Sequence, residues 1–460
     1  MEFRDEKDSM GVVKVREDRL YGAQTQRSLE NFVIGTEKMP IEVIINLIEI
    51  KRAAALVNME VKYIEENIGN AIVTACDNLL YDLNQGKSLE NFPLSVWQTG
   101  SGTQSNMNVN EVIAYVGNKI LGEKLIHPND HVNKGQSSND TFPSAMNMSS
   151  FLAIKDNLLN NVEDLIKTFE KLEKKYKKVL KVGRTHLQDA TPLTFAQEIS
   201  GWKYMLIKTL SSLKDAMNRM KCLAIGGTAV GTGLNACDDF GNKVAKKLSQ
   251  RLGVEFYSSE NYFYSLTSKD EFVFVHGAIK AMAMNLFKIA NDIRFLSSGP
   301  RCGFGEIKIP QNEPGSSIMP GKVNPTQTEA VTMVASQIAG NDVTISFAAS
   351  QGNFELNVFM PVIIYNFLQS VRLLGDCIKS FNEKCCIGIE ADVEKMEENF
   401  EKSLMNVTFL TPYIGYEKAA ELAKYAYENR LNIKEAILDK GIFTKDEIED
   451  ILKNNLIKEQ

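Results

Sequence analysis

The chain is 460 residues long, 44% hydrophobic and 24% charged, with a formal net charge of −6. That length buries a sizeable core and holds roughly three domains on a prior of ~150 residues each. The acidic balance argues against nucleic acid or an anionic membrane surface as a partner, and an acidic protein that binds an anion must concentrate its positive charge locally.

Taken in chain order, the N-terminal stretch to Asp8 carries acidic residues and no apolar run, so neither a signal peptide nor a transit peptide is expected. Nowhere does the chain approach ~18 consecutive apolar residues, so no transmembrane span is expected. A short extended piece is predicted at Gly11–Val15 and another around Gly305–Ile309. Leu158, Val162, Leu165, Phe169, Leu172, Tyr176 and Val179 alternate spacings of four and three, and so do Val275, Ile279, Met282, Leu286, Ile289, Ile293 and Leu296. Both are seams of bundle packing. The first helix has a surface of Lys, Glu, Asp and Asn and should face solvent. The second is apolar or small nearly all round and should be buried, which asks for more neighbours than one chain supplies and suggests an oligomeric bundle. Further long helices are predicted from about Ala196 to Leu223, from near Pro325, and within about 355–384. The class is mainly α, with domains expected at 1–135 (mostly helical), 136–355 (the long-helix bundle) and 356–460 (small, helical).

The seven cysteines, Cys76, Cys222, Cys237, Cys302, Cys377, Cys385 and Cys386, are scattered, with no C-x-x-C pair. They read as reduced thiols in a cytoplasmic compartment and argue against a zinc site or an iron–sulfur cluster. The Cys385-Cys386 pair reads as packing.

Four polar segments lie between the helices: Gly100-Ser-Gly-Thr-Gln-Ser-Asn-Met-Asn108, His127-Pro-Asn-Asp-His-Val-Asn-Lys-Gly-Gln-Ser-Ser-Asn-Asp140, Gly183-Arg-Thr-His-Leu-Gln-Asp-Ala-Thr-Pro192 and Gly315-Ser-Ser-Ile-Met-Pro-Gly-Lys-Val-Asn-Pro325. Hydroxyls, amides and backbone N–H groups are the toolkit for holding carboxylate oxygens. They also cap helices and make turns. Asn324-Pro325-Thr326-Gln327 reads as a helix start with Asn as N-cap, and Thr191-Pro192 as another. His127 and His131 are four apart, but Pro128 opposes a regular helix and no third ligand is evident, so no metal is expected. A lone His186 is more often structural. Four such segments together favour a site.

The segment Gly315–Pro325 resembles the signature loop of the aspartase/fumarase superfamily, and the resemblance covers nearly the whole chain. It begins at Asp18-Arg-Leu-Tyr-Gly-Ala-Gln-Thr-Gln-Arg27, takes in the other polar segments and includes Gly352-Asn-Phe-Glu-Leu-Asn-Val-Phe359. Aspartate ammonia-lyases are similar but carry Gln in place of His186 and Ala in place of Gly321. Arg184–Pro192, the Pro-Gly-Lys form of the signature, Trp97-Gln-Thr-Gly100 and His127-Pro-Asn-Asp130 resemble the class II fumarase branch.

The resemblance implies a mainly α, three-domain fold whose central helices join those of other copies in a homotetramer, with active sites shared between subunits. It implies no cofactor, and a small dicarboxylate as the partner: reversible anti addition of water to fumarate, giving L-malate. The alternatives are an aspartate ammonia-lyase on the same fold and a non-catalytic crystallin-like role. Ser316 is implied as the base that takes the carbon-bound proton, its alkoxide stabilised by backbone N–H groups. Lys322 and Asn324 would grip the substrate carboxylate. Ser101, Thr103, Ser137, Ser138, Asn139 and Thr185 would hydrogen-bond the two carboxylates. His186 would pair with Glu329 and act on the departing or arriving water. His127, Asn129 and Asp130 match a second carboxylate site of the family, with Lys124 where family members often have Arg.

Overall fold

The second seam is helical over its whole length, whereas the first is helical only from Leu158 to Leu172: its helix ends at Lys175, and Tyr176 and Val179 lie in the turn that leads into the next strand. A computed structural model describes residues 2–448 and 451, and it is mainly α with short paired strands. Helix Leu159–Lys175 buries Val162, Leu165, Phe169 and Leu172 and turns Asp164, Lys167, Glu170 and Lys171 outward. Helix Asp270–Leu296 buries its whole seam from Val275 to Leu296. The other three predicted helices are Phe195–Met217, Thr326–Ala349 and Met360–Lys384. The first of them ends earlier than its pattern suggested, because Asn218–Lys221 tightens into a 3-10 turn.

The chain divides into two compact units. One comprises Met1–Asn160, Ser211–Ala281 and Ser336–Gly375; the other comprises Asn161–Leu210, Met282–Ala335 and Asp376–Gln460. The first unit packs Ile41–Glu60, Glu66–Asn84, Thr103–Leu121 and Ser138–Ala153 on a core that includes Ile44, Leu47, Ile72, Val112 and Met146. Its N-terminal hairpin pairs Phe3–Asp8 with Gly11–Arg16, so the extended piece expected at Gly11–Val15 is present.

In the same unit His276 is fully buried between Asp342 (2.8 Å from Nδ1) and Ser370 (2.9 Å from Nε2), and Lys280 pairs with Asp342. Asp270–Leu296 is long and apolar enough to cross a membrane by length and composition. Within the chain, the buried seam and the paired His276 pack one side of it against neighbouring helices. Part of its remaining surface is left open among the described residues: Phe274, Met284 and Phe295 are exposed, as are Met333, Val343 and Phe347 on Thr326–Ala349, the last at 68%.

The second unit contains a hairpin, Leu180–Thr185 with Gln188–Thr194, which corrects the helix start expected at Thr191-Pro192. Pro192 pairs with Val182 beside a bulge, one of the few places a strand tolerates proline. The cap lies three residues on. Thr194 Oγ1 accepts from Gln197 N (3.2 Å) and Gln197 Oε1 accepts from Thr194 N (2.9 Å), a reciprocal capping box for Phe195–Met217. The extended piece expected near Gly305–Ile309 is Ile307–Lys308, paired with Glu390–Ala391. All seven cysteines are free, and Cys385 and Cys386 are buried, in keeping with packing. The C-terminal helices close on a small core of Val407, Leu410, Leu422, Ala426, Ile433 and Ile437.

Two glycines position the first polar segment. A Cβ on Gly100 would lie 1.3 Å from Val358 O, so the backbones meet there without room for a side chain. Gly102 has φ +72° and its Cβ would lie 2.3 Å from the Phe142 ring. Gly102→Ala is expected to cost about 2–4 kcal/mol, combining the left-handed penalty with overpacking. A thermal midpoint equal to that of the parent chain would contradict this account.

Candidate active site

In the first unit, polar segments become helix N-termini. Gly102 precedes the helix Thr103–Leu121, and the hydroxyls of Ser101 and Thr103 lie 2.8 Å apart across it. Ser137 caps the helix Ser138–Ala153: its Oγ accepts from Asn139 N (3.2 Å), and Asp140 Oδ1 accepts from Ser137 N (2.9 Å). Asn106 Nδ2 donates to Ser138 Oγ (3.0 Å), which ties the two helix starts together. Free amides and the positive dipole end at such a start favour an anion. The structure thus brings Ser101, Thr103, Ser137, Ser138 and Asn139 into one unit. Of these five only Ser137 caps a helix through its side chain.

Beneath them lies a buried polar layer that motif reading passed over. Lys51 is fully buried, and its Nζ donates to Asn133 Oδ1 (2.8 Å) and Gln136 Oε1 (3.0 Å). Asn133 Oδ1 also accepts from Asn106 and Asn110, both at 3.2 Å. Burial pulls the Lys51 ammonium down to about 7, against the pull of Asp140. Burial likewise pushes the Asp140 carboxyl up to about 6, opposed by the amides of Ser137, Thr228 and Gly226. Those last two belong to Gly226-Gly-Thr-Ala-Val-Gly-Thr-Gly233, also missed. Gly226 N (3.1 Å) and Thr228 N (2.9 Å) donate to Asp140 Oδ2, and Asn139 Nδ2 donates to Ala229 O (2.8 Å). Its four glycines in eight residues were the available signal; Lys51, inside an apolar helix, had none beyond its charge.

The segment around His127 forms a single π-helical turn, Pro128–Val132. His127 Nδ1 accepts from Asn129 N and Asp130 N (both 3.3 Å), and His131 Nδ1 accepts from His127 N (2.9 Å). Each histidine thus spends one ring nitrogen on backbone.

In the second unit, the signature loop is closed on itself. Gly315 N donates to Lys322 O (2.9 Å), and Lys322 N to Met319 O (3.3 Å). Ser316 Oγ accepts from Ile318 N (3.2 Å) and Met319 N (3.0 Å). The amides that hold this oxygen are thus those of Ile318 and Met319, one and two residues past the Gly315-Ser-Ser turn, and not those within it. Asn324 does not cap the following helix. Its Nδ2 donates back to Gly315 O, and Pro325 O receives the first helical bonds instead, from Thr328 N (3.0 Å) and Glu329 N (3.2 Å). Lys322 and Glu329 are exposed, as are Thr185 and His186 at the tip of the hairpin. Among the described residues, no hydrogen bond joins His186 to Glu329 within one chain.

These features define a mainly α scaffold whose polar segments form helix starts in one unit and a loop closed on itself in the other. The lyase family model matches residues 11–340, and the model described as the fumarase C C-terminus matches 407–457. The chain is 55% identical to the class II fumarate hydratase of Bacillus subtilis (strain 168) over 457 residues, 98% of each chain. It is 55% identical to that of Campylobacter jejuni over 452 residues, 97% of each. The crystal structure of a recombinant class II fumarase from Schistosoma mansoni superposes with a TM-score of 0.94 at 40% identity, covering 98% of both chains. A fumarate lyase:delta crystallin structure from Brucella melitensis gives 0.93 at 38% identity, again covering 98% of both. The chain belongs to the lyase family, in its class II fumarate hydratase branch.

Asp140→Asn would leave one acceptor for amides now shared between two oxygens and would set an NH2 against a backbone donor. An expected loss of about 2–4 kcal/mol follows from hydrogen bonds to a charged group. It should appear as a lower urea midpoint at unchanged slope; an unchanged midpoint would mean that Asp140 does not brace the Ser137–Asn139 turn.

Proposed function

We propose that the chain works as a fumarate hydratase through the loop oxygen of Ser316, held by two backbone amides, with His186 on the opposite side of the substrate. The reaction is the reversible anti addition of water to fumarate, giving L-malate, and the Ser316 geometry carries the reading. In the dehydration direction the base takes a proton from the carbon next to a carboxylate. That proton is weakly acidic, and its loss builds charge on the carboxylate as an aci form, which must meet fixed donors. Ser316 Oγ takes the proton because the amides of Ile318 and Met319 favour its alkoxide. Lys322 neutralises the developing charge, and Asn324 braces the loop through Gly315 and reaches the same carboxylate. Ser101, Thr103, Ser137, Ser138, Asn139 and Thr185 hydrogen-bond the two carboxylates. His186 acts on the leaving hydroxyl.

The enzyme is a homotetramer in this reading, and its sites are shared between subunits. The exposed Phe274, Met333, Val343 and Phe347 support it, since apolar helix faces of this kind are covered by further helices. His186 and Glu329, both exposed and unjoined within one chain, then meet between copies. Organisation as 1–135, 136–355 and 356–460, a cytoplasmic location and the absence of a cofactor belong to the same reading, whereas a second carboxylate site at His127, Asn129 and Asp130 is disfavoured by Lys124, which keeps the charge of the family's Arg but lacks its bidentate fork.

The test is the ultraviolet absorbance of fumarate after adding L-malate to purified, EDTA-treated protein, with L-aspartate in parallel. Fumarate from malate alone is expected; fumarate from aspartate alone would make the chain an ammonia-lyase. His186→Asn and Ser316→Ala are each expected to lower turnover by about 10²–10⁴-fold in folded protein. A near-parental rate in either variant would remove that residue from the chemistry.

A further inference from the structure

The hairpin that presents His186 turns in two residues, His186 (φ 56°) and Leu187 (φ 61°), between the rung Thr185↔Gln188. Two consecutive left-handed residues define a type I′ turn, a position that favours Asn-Gly. Histidine and leucine both carry a Cβ that opposes this conformation. Such strain persists only where the surroundings over-determine it.

What determines it lies on the strand below. Arg184 makes two bonds to Glu306, Nη1 to Oε2 (3.1 Å) and Nη2 to Oε1 (2.5 Å), and its guanidinium lies 4.5 Å over the Phe304 ring. Glu306 is fully buried. It also receives Asn399 Nδ2 (3.0 Å) and stands 3.3 Å from Lys181 Nζ. Its backbone is fixed on both sides: its N–H donates to Leu296 O (2.8 Å), and its carbonyl accepts from Asp392 N (2.9 Å). Lys181 is buried as well and lies 2.9 Å from Glu198. Burial pushes the Glu306 carboxyl up, but Arg184, Lys181 and Asn399 outweigh it and hold it below its ordinary value.

In a regular strand, Lys181 and Arg184 would face opposite sides, because side chains alternate with period two. The register shifts between Val182 and Arg184, and that bulge turns both cations to Glu306. At Gly183, a Cβ would lie 2.4 Å from Thr191 O, so the bulge needs glycine there. Burying such a cluster brings little net stability over an apolar core, whereas bidentate geometry specifies orientation. The residues it holds up are Thr185 and His186.

We propose that Glu306 is a positioning residue for the reaction: through Arg184 it sets the strained turn that aims Thr185 and His186. This rests on the role given to His186 above. The experiment is a double-mutant cycle on the full-length enzyme, with Glu306→Gln and His186→Asn alone and together, reading kcat and KM for L-malate. Glu306→Gln is expected to lower kcat by about 10²-fold, the scale of a small misplacement of a reacting group, and to raise KM to a smaller degree through Thr185. In the His186→Asn background it should have little further effect on kcat. Equal factors in both backgrounds would overturn the proposal, as would a parental kcat in folded Glu306→Gln. A parental rate for His186→Asn alone would instead overturn the role of His186. Should Glu306→Gln not fold, Arg184→Lys keeps the charge and loses the fork. The same loss of kcat, absent from the His186→Asn background, is then expected, and a parental kcat for Arg184→Lys alone would overturn the proposal.

Discussion

A chain with net charge −6 that handles a dianion has to build its positive potential from something other than net charge. In the function proposed above, backbone amides supply part of it. Two helix starts, at Thr103 and Ser138, are joined through Asn106, and a third set of amides surrounds Ser316 Oγ. Amide dipoles need no counterion and keep their direction only if the backbone is held. Much of the remaining polar architecture serves that requirement.

In the first unit the holding is done by buried charge and buried amides. Asp140 gathers the N–H groups of Ser137, Gly226 and Thr228, so a helix start and a glycine-rich loop share one carboxylate. Lys51 reaches Asn133 and Gln136 from below the same segment. In the other unit Glu306 gathers Arg184, Lys181 and Asn399. Unpaired, any of these ions would cost far more than its pairing returns, so the networks stand or fall as wholes.

His276 shows the opposite use of similar chemistry. With Asp342 on one ring nitrogen and Ser370 on the other it has the order of a hydrolytic triad, yet all three are buried inside helix packing. Burial lowers its proton affinity, partly offset by Asp342. A serine that no substrate reaches is a strut, and the distinction lies in access rather than in residue type.

The periodic helices were legible in the sequence because burial of Val162 or Ile279 depends only on spacing along one chain, and spacing is written there. The signature loop and the family were legible for a related reason: Gly315–Pro325 is contiguous. The hairpin at Leu180–Thr194 was not. Its polar, proline-containing strand carries no clean alternation, and its bulge inverts the pattern that would reveal it. Asn324 reads locally as a cap, but Gly315 nine residues away takes its amide. Lys51, Asp140 and Glu306 owe their roles to partners 82, 86 and 122 residues distant. A buried charge is meaningful only through what surrounds it, and that is decided when the chain folds. The sequence by itself determined the helices, the family and the groups available for catalysis. Tertiary structure alone decided which of those groups are braced, strained or exposed, because each of those properties belongs to a contact between distant residues.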